Sequence, residues 1–168
     1  MHNRTRFWSH AAIIAALYAV LTHLQNFILP GSASWAIQCR LSEALCVLAL
    51  FTPAAIPGLA VGCLVFNLTS AAVLPLDFLV GSVATVLAAW SMWGLRRCTV
   101  KDFPLPALLM PPVFNAALVG WELSVYIGGG FWLNAGYVAI GELIVMLTFG
   151  AVLYRVMKRR HLDSLLFG

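Results

Sequence analysis

Charge is what this chain has least of. Of its 168 residues only 10% are Asp, Glu, Lys or Arg, while 62% are hydrophobic, with six Trp and ten Phe. A soluble domain of this length cannot cover so much apolar surface with so few charges. Cys39, Cys46, Cys63 and Cys98 show no C-x-x-C spacing, which leaves them as small packing residues, and no metal is expected. No phosphate-binding loop and no nucleophile–base set occurs. No enzyme reaction is therefore expected of the chain, and if it moves anything with ATP, the ATPase is another chain. His10 and His23 lie too far apart for a shared site, and the sequons at Asn3 and Asn67 are chance matches.

What is present is a series of apolar runs, most of about 20 residues, the mark of a membrane protein. The run from Phe7 is too long for a signal-peptide core and has no clean small-x-small exit, so it reads as a spanning helix. Proline, glycine and charge place the stops, because Pro cannot continue the hydrogen-bond ladder and Gly costs helix entropy. They predict one all-α membrane domain over 1–168 with six transmembrane helices, near 7–26, 36–52, 57–73, 77–95, 105–127 and 131–157. In the fifth, Pro111-Pro112 either kinks the helix or starts it, with FPLPALLM as a separate short piece.

Six helices put both termini on one side. Arg4, Arg6, Arg96, Arg97, Lys101, Arg155, Lys158, Arg159 and Arg160 all fall there, leaving Arg40 alone on the other. By the positive-inside rule the termini are cytoplasmic and Arg40 faces outward. The net charge of +4 then reflects topology rather than nucleic-acid binding.

The acids are more informative. Asp102 and Asp163 fall in cytoplasmic loops, whereas Glu43, Asp77, Glu122 and Glu142 lie in the outer half of the membrane or at its edge. Glu142 is deepest, about 11 residues or ~16 Å into the sixth helix at ~1.5 Å per residue. Asn67, Asn115 and Asn134 join them, Asn115 sharing a helix face with Glu122, and Gln38 flanks Arg40. A charge at the bilayer centre costs at least ~2.5–3.5 kcal/mol. Four carboxylates and one arginine are thus expected to converge on an interior cavity open to the outside. Arg40 and Glu43, three apart, read as a local ion pair or as part of that cavity. Glu122 and Glu142 have no basic partner inside the membrane, so each protonates, meets a cation or hydrogen-bonds an arriving group. Four acids against one base favour a cationic or donor-rich ligand. Trp35, Trp121, Phe131 and Trp132 lie near the same outer level, as an interfacial belt or, for one or two of them, as a stacking surface for a planar ligand.

In the first helix, Ala11, Ala12, Ala15, Ala16 and Ala19 stand four apart in overlapping pairs. Such a flat face packs against a neighbouring helix of the same chain or docks a partner membrane protein.

IAALYAVLT (14–22), CRLSEALCVLALFTPAAIPGLAVGC (39–63), FNAALVGWEL (114–123) and FWLNAGYVAIGEL (131–143) carry a resemblance across nearly the whole chain. The sequence resembles the QueT-type queuosine-precursor proteins, substrate-binding S-components of energy-coupling factor (ECF) transporters. Cys46 and Ala49 stand where Thr and Pro are common in that family, at packing positions. The resemblance implies a multi-pass protein of a bacterial-type cell membrane. It also implies a membrane scaffold subunit docking on the first helix, two ABC-type ATPase subunits, and queuine, queuosine or a deazapurine precursor as substrate. No cofactor is implied. On that reading Glu43 or Glu142 takes the guanine-like edge of the ligand and Glu122 or Asp77 its amine. Asn67, Asn115 and Asn134 give amide contacts, Trp121 lines the site, and Arg40 braces Glu43 or gates the mouth. A stand-alone proton-coupled transporter of a cationic molecule, and a structural membrane subunit with no ligand, remain as alternatives.

Overall fold

A computed structural model of the chain describes residues 2–30, 32, 39–70 and 74–167, with side chains from residue 4 onward. Trp35, Gln38 and the segment ends at 36–38 and 71–73 lie outside the described residues. The elements are α1 (His2–Ile28), a 3-10 helix (Leu41–Leu50), α2 (Ala55–Thr69), α3 (Asp77–Gly94), α4 (Leu105–Leu108), α5 (Met110–Tyr126), α6 (Phe131–Val145), a π-helical stretch (Met146–Gly150), α7 (Ala151–Arg159) and α8 (Leu162–Phe167). No β-strand occurs among the described residues; a single bridge closes the tight turn Val100–Phe103, where Lys101 and Asp102 adopt positive φ.

All six apolar segments are helical, but the expectation of six crossings is only partly met. Four are long and apolar enough to span a membrane: Arg4–Ile28, Asp77–Gly94, Leu105–Tyr126 and Phe131–Arg159. The other two are short. The 3-10 helix has 10 residues, about 20 Å at ~2.0 Å per residue. α2 has 15 residues, about 22 Å at ~1.5 Å per residue. Both fall short of a hydrocarbon core of ~30 Å.

Three local outcomes refine the sequence reading. Pro111 and Pro112 start α5 rather than kink it, because the first turn of a helix has no use for their missing N–H groups. α4 is the separate short piece before it. The second segment is 3-10 and not α; its side chains therefore stack every third residue, placing Arg40, Glu43 and Cys46 on one ridge. The sixth helix contains a π stretch at Met146–Gly150, and the N–H of Met146 at its start is shared between the carbonyls of Glu142 and Leu143. Before α6, Gly128, Gly129 and Gly130 all hold φ between +81° and +86°, a conformation that side-chained residues rarely adopt.

α1, α2, α3, α5 and α6 pack in that order, each against the next, and the 3-10 helix sits among them, touching α1, α2, α3, α6, α7 and the π stretch. Its residues Ser42–Ala44 and Cys46–Leu50 are all buried. The core around it holds Tyr18, Leu59, Phe66, Met92, Leu108 and Met146, all fully buried. Large apolar side chains such as Trp8, Phe27, Trp90 and Trp132 stand exposed on the outside, as a lipid-facing surface requires. α1 and α2 approach closely. A Cβ on Gly58 would lie 2.7 Å from the Ala11 carbonyl oxygen, and one on Gly62 would lie 2.7 Å from both the Ala15 carbonyl oxygen and Tyr18 Cβ.

Basic residues meet aromatic rings at one end of the bundle. The Arg155 guanidinium lies 5.5 Å from the Phe103 ring and Lys158 Nζ 5.3 Å from that of Phe51, with Tyr154 packed against both rings. Arg96 covers Trp93 at 3.8 Å. Arg6 reaches the Leu166 carbonyl at 3.5 Å, and Lys158 pairs with Asp163 at 2.9 Å. Asp163 lies outside the spanning segments, and its hydrogen bond from Lys158 holds its carboxyl below the ordinary range.

Candidate functional site

Arg40, Glu43 and their polar neighbours form a buried cluster around residues 39–43. α1 supplies the frame, through Tyr18, Thr22 and Gln25, which lie four and three residues apart on one helix face. The Tyr18 hydroxyl donates a hydrogen bond to Glu43 Oε1. The Thr22 and Ser42 hydroxyls bond at 2.7 Å. Gln25 Nε2 donates to the Cys39 carbonyl at 2.5 Å, and Gln25 Oε1 accepts from the Leu41 N–H at 2.8 Å. The extended residue Arg40 (φ −78°, ψ 103°) is thus held between two backbone groups that one side chain grips.

From there Arg40 reaches across the bundle. Its Nη2 lies 3.4 Å from Asp77 Oδ2, and both side chains are buried. Its Nη1 lies 3.8 Å from Cys63 Sγ, and its guanidinium 5.7 Å from the Phe66 ring centroid. Among the described residues the ion-pair partner of Arg40 is therefore Asp77 on α3, and of the two readings left open for Arg40 and Glu43 the local ion pair is not formed. Glu43 has turned to Tyr18 and to Cys46, whose Sγ donates to Oε2 at 3.2 Å. That geometry follows from the i, i+3 stacking of a 3-10 helix. Asn67 Nδ2 donates to the Asp77 carbonyl at 2.8 Å and lies 3.5 Å from Cys63 Sγ, tying α2 to the start of α3. Gly81 leaves room here: a Cβ on it would meet Asn67 Nδ2 at 3.0 Å and both Arg40 Nη1 and Asp77 Oδ1 at 3.7 Å.

α5 and α6 bring the remaining acids. Glu122 is fully buried and faces Asp77. Glu142 is buried beside Glu43 and Asn115. Several of these oxygens have no hydrogen-bond partner among the described residues: Glu122 Oε1 and Oε2, Glu142 Oε2, Asp77 Oδ1 and Asn67 Oδ1. Two facing carboxyl groups such as Glu122 and Asp77 are both acceptors and make no bond unless a proton lies between them. The cluster therefore holds a surplus of acceptors, and an unmet buried acceptor costs roughly 1–3 kcal/mol, more when charged.

Seven of the sequence-predicted residues meet in this cluster: Arg40, Glu43, Asn67, Asp77, Asn115, Glu122 and Glu142. Two sit apart from it. Asn134 is buried, but its Nδ2 donates to the Gly128 carbonyl at 2.7 Å and braces the glycine turn. Trp121 is 49% exposed, on the outer face of α5. The alanines of α1 split between two faces. Ala11 and Ala15 meet Gly58 and Gly62 of α2, Ala19 is half-buried, and Ala12 and Ala16 are exposed. Sequence reasoning missed Tyr18, Thr22, Gln25, Cys46 and Cys63. The first three carried a signal, polar residues at helical spacing in an apolar run. The two thiols carried none.

Among the described residues no group of three or more His, Cys, Asp or Glu side chains has a geometry to hold a metal ion. Four spanning helices around a buried acidic cluster define a multi-pass membrane protein with a polar interior site. The chain matches the QueT transporter family over residues 8–159, and it belongs to that family. It is thus a transporter protein of the membrane. No curated protein and no solved structure matches it.

Proposed function

We propose that this chain is the substrate-binding S-component of an ECF-type importer, capturing queuosine, queuine or a related deazapurine precursor at the outer side of a bacterial-type cell membrane. The observation that carries the reading is the surplus of buried acceptor oxygens on Glu122, Glu142, Asp77 and Asn67. A deazapurine with a guanine-like edge and an aminomethyl nitrogen offers donors of the matching kind, and charge-assisted bonds to carboxylates are the stronger ones. Membership of the QueT transporter family supports the transport role. Arg40, Glu43 and Asn115 complete the site. Arg40 fixes Asp77, Glu43 fixes the 3-10 helix to α1, and Asn115 stands beside Glu142. Asn134 braces the glycine turn before α6 and Trp121 stands exposed on α5, so neither is assigned a ligand contact in this reading.

Transport by this reading needs partners: a membrane scaffold subunit and two ABC-type ATPases that hydrolyse ATP. The exposed face of α1 at Ala12 and Ala16 suits close approach of a scaffold helix, whereas Ala11 and Ala15 are already occupied by α2. Both termini are cytoplasmic, in keeping with the basic end of the bundle. The test is equilibrium binding to the purified protein in detergent, read by tryptophan fluorescence, with queuine and its aminomethyl precursor as ligands and riboflavin and biotin as controls. Saturable binding of a deazapurine alone supports the reading. Proton-driven uptake by the isolated protein in vesicles would replace it with a secondary transporter.

A further inference from the structure

The acids of the cluster differ in how many oxygens they have left to offer. Glu43 has none, since Tyr18 engages one and Cys46 the other. Asp77 has one, because Arg40 holds Oδ2. Glu142 has one without a partner, Oε2. Glu122 alone among the four acids of the cluster presents two, on a side chain that is fully buried. A planar edge with two adjacent N–H donors, such as the N1–H and 2-amino group of a guanine-like ring, is received best by both oxygens of one carboxylate. A lone amine needs only one.

We infer that Glu122 is the specificity-determining residue that reads the 2-amino, N1–H edge of the ligand, and that Glu142 receives a single donor such as the aminomethyl nitrogen. This reverses the assignment expected from the sequence, and it rests on the proposed deazapurine reading of the site. It also makes the site selective by mismatch. A ring with an acceptor at the 2-position would set oxygen against oxygen, and a buried polar group left unpaired discriminates more strongly than a missing methylene.

The test is calorimetric binding of 7-deazaguanine, 7-deazahypoxanthine and 7-deazaxanthine to the wild-type protein, Glu122→Gln and Glu142→Gln. Wild type is expected to prefer 7-deazaguanine, by at least about tenfold over 7-deazahypoxanthine, which lacks the 2-amino donor. In Glu122→Gln the amide keeps one acceptor and gains a donor. Affinity for 7-deazaguanine is expected to fall about a hundredfold, and 7-deazaxanthine, whose 2-oxygen accepts from that amide, becomes the preferred ring. Glu142→Gln is expected to keep the wild-type order. A folding defect would weaken all three ligands alike, so the order is the readout. If Glu122→Gln keeps the wild-type order, or Glu142→Gln is the variant that changes it, the assignment is wrong. If wild type binds none of the three, the deazapurine reading fails and this inference falls with it.

Discussion

Replacing Tyr18 with Phe removes one oxygen from the centre of the bundle and leaves the ring that fills it. Tyr18 is fully buried, and its hydroxyl is the donor that joins α1 to the 3-10 helix through Glu43. The loss strands Glu43 Oε1, which has no other donor among the described residues, while Oε2 keeps Cys46 at 3.2 Å. Hydrogen bonds between membrane helices average ~0.6 kcal/mol and reach ~1.7. Bonds to charged groups and stranded buried acceptors lie at ~1.5–3. Packing is unchanged, so the expected cost is about 1–2 kcal/mol. At ~2–4 °C per kcal/mol for a chain of this size, that is a fall of roughly 2–8 °C in Tm. The assay is thermal unfolding of the purified protein in detergent, run as a double-mutant cycle with Glu43→Gln. The two substitutions should be coupled, the double variant losing less than the sum. A Tm shift under about 1 °C, or strict additivity, would refute the bond and the link it makes between α1 and the site.

Four further outcomes follow from the same contacts. Gly62→Leu should destabilise by more than about 1–3 kcal/mol, because even a Cβ there lies 2.7 Å from α1 backbone; thermal unfolding reads it, and an unchanged Tm would mean that α1 and α2 do not pack as described. Arg40→Ala leaves Asp77 as an unpaired buried carboxylate and should cost about 3–5 kcal/mol, whereas Arg40→Met with Asp77→Leu should recover most of it. Ala12→Leu and Ala16→Leu should lower uptake by the full transporter without weakening deazapurine binding, and Ala11→Leu should instead lower Tm; equal effects at both faces would remove the distinction between them. The Lys158–Asp163 pair should show in the pH dependence of stability. Asp163 has a lowered folded pKa, so its contribution is present above the ordinary Asp value of ~3.9 and is lost as pH falls through the folded value. With Lys158 half exposed it is worth less than about 1 kcal/mol, and Asp163→Asn should erase the difference between neutral and acid pH at this site.

Much of the fold was legible because breakers bounded each apolar run. Pro53, Pro75, the three glycines at 128–130 and the basic pairs set segment limits close to those observed. What the runs could not show was helix type. LSEALCVLAL is apolar at almost every position, so no period separates 3.6 residues per turn from 3.0, and the 3-10 form came as a surprise with consequences for the site. The π stretch at Met146–Gly150 was hidden for the same reason.

The site was legible as a set of residues and not as a set of pairs. Insertion cost alone marks Arg40, Glu43, Asp77, Glu122 and Glu142 as interior groups. Their pairing depends on contacts across the bundle. Arg40 lies 37 positions from Asp77 and three from Glu43, so sequence spacing could offer only the nearer pairing as an alternative. Trp121 follows a helix face, and its neighbour Glu122 points about 100° away from it, so adjacency misled there.

The central claim is that the buried acceptor cluster is where a deazapurine binds. Its most direct test is calorimetric titration of queuine into the purified wild-type protein and into Glu122→Gln and Glu142→Gln, with no partner subunit present. Tight, stoichiometric binding by wild type, weakened at least tenfold in each variant, is the expected result. Binding of equal strength in all three would place the ligand elsewhere in the protein and contradict the account.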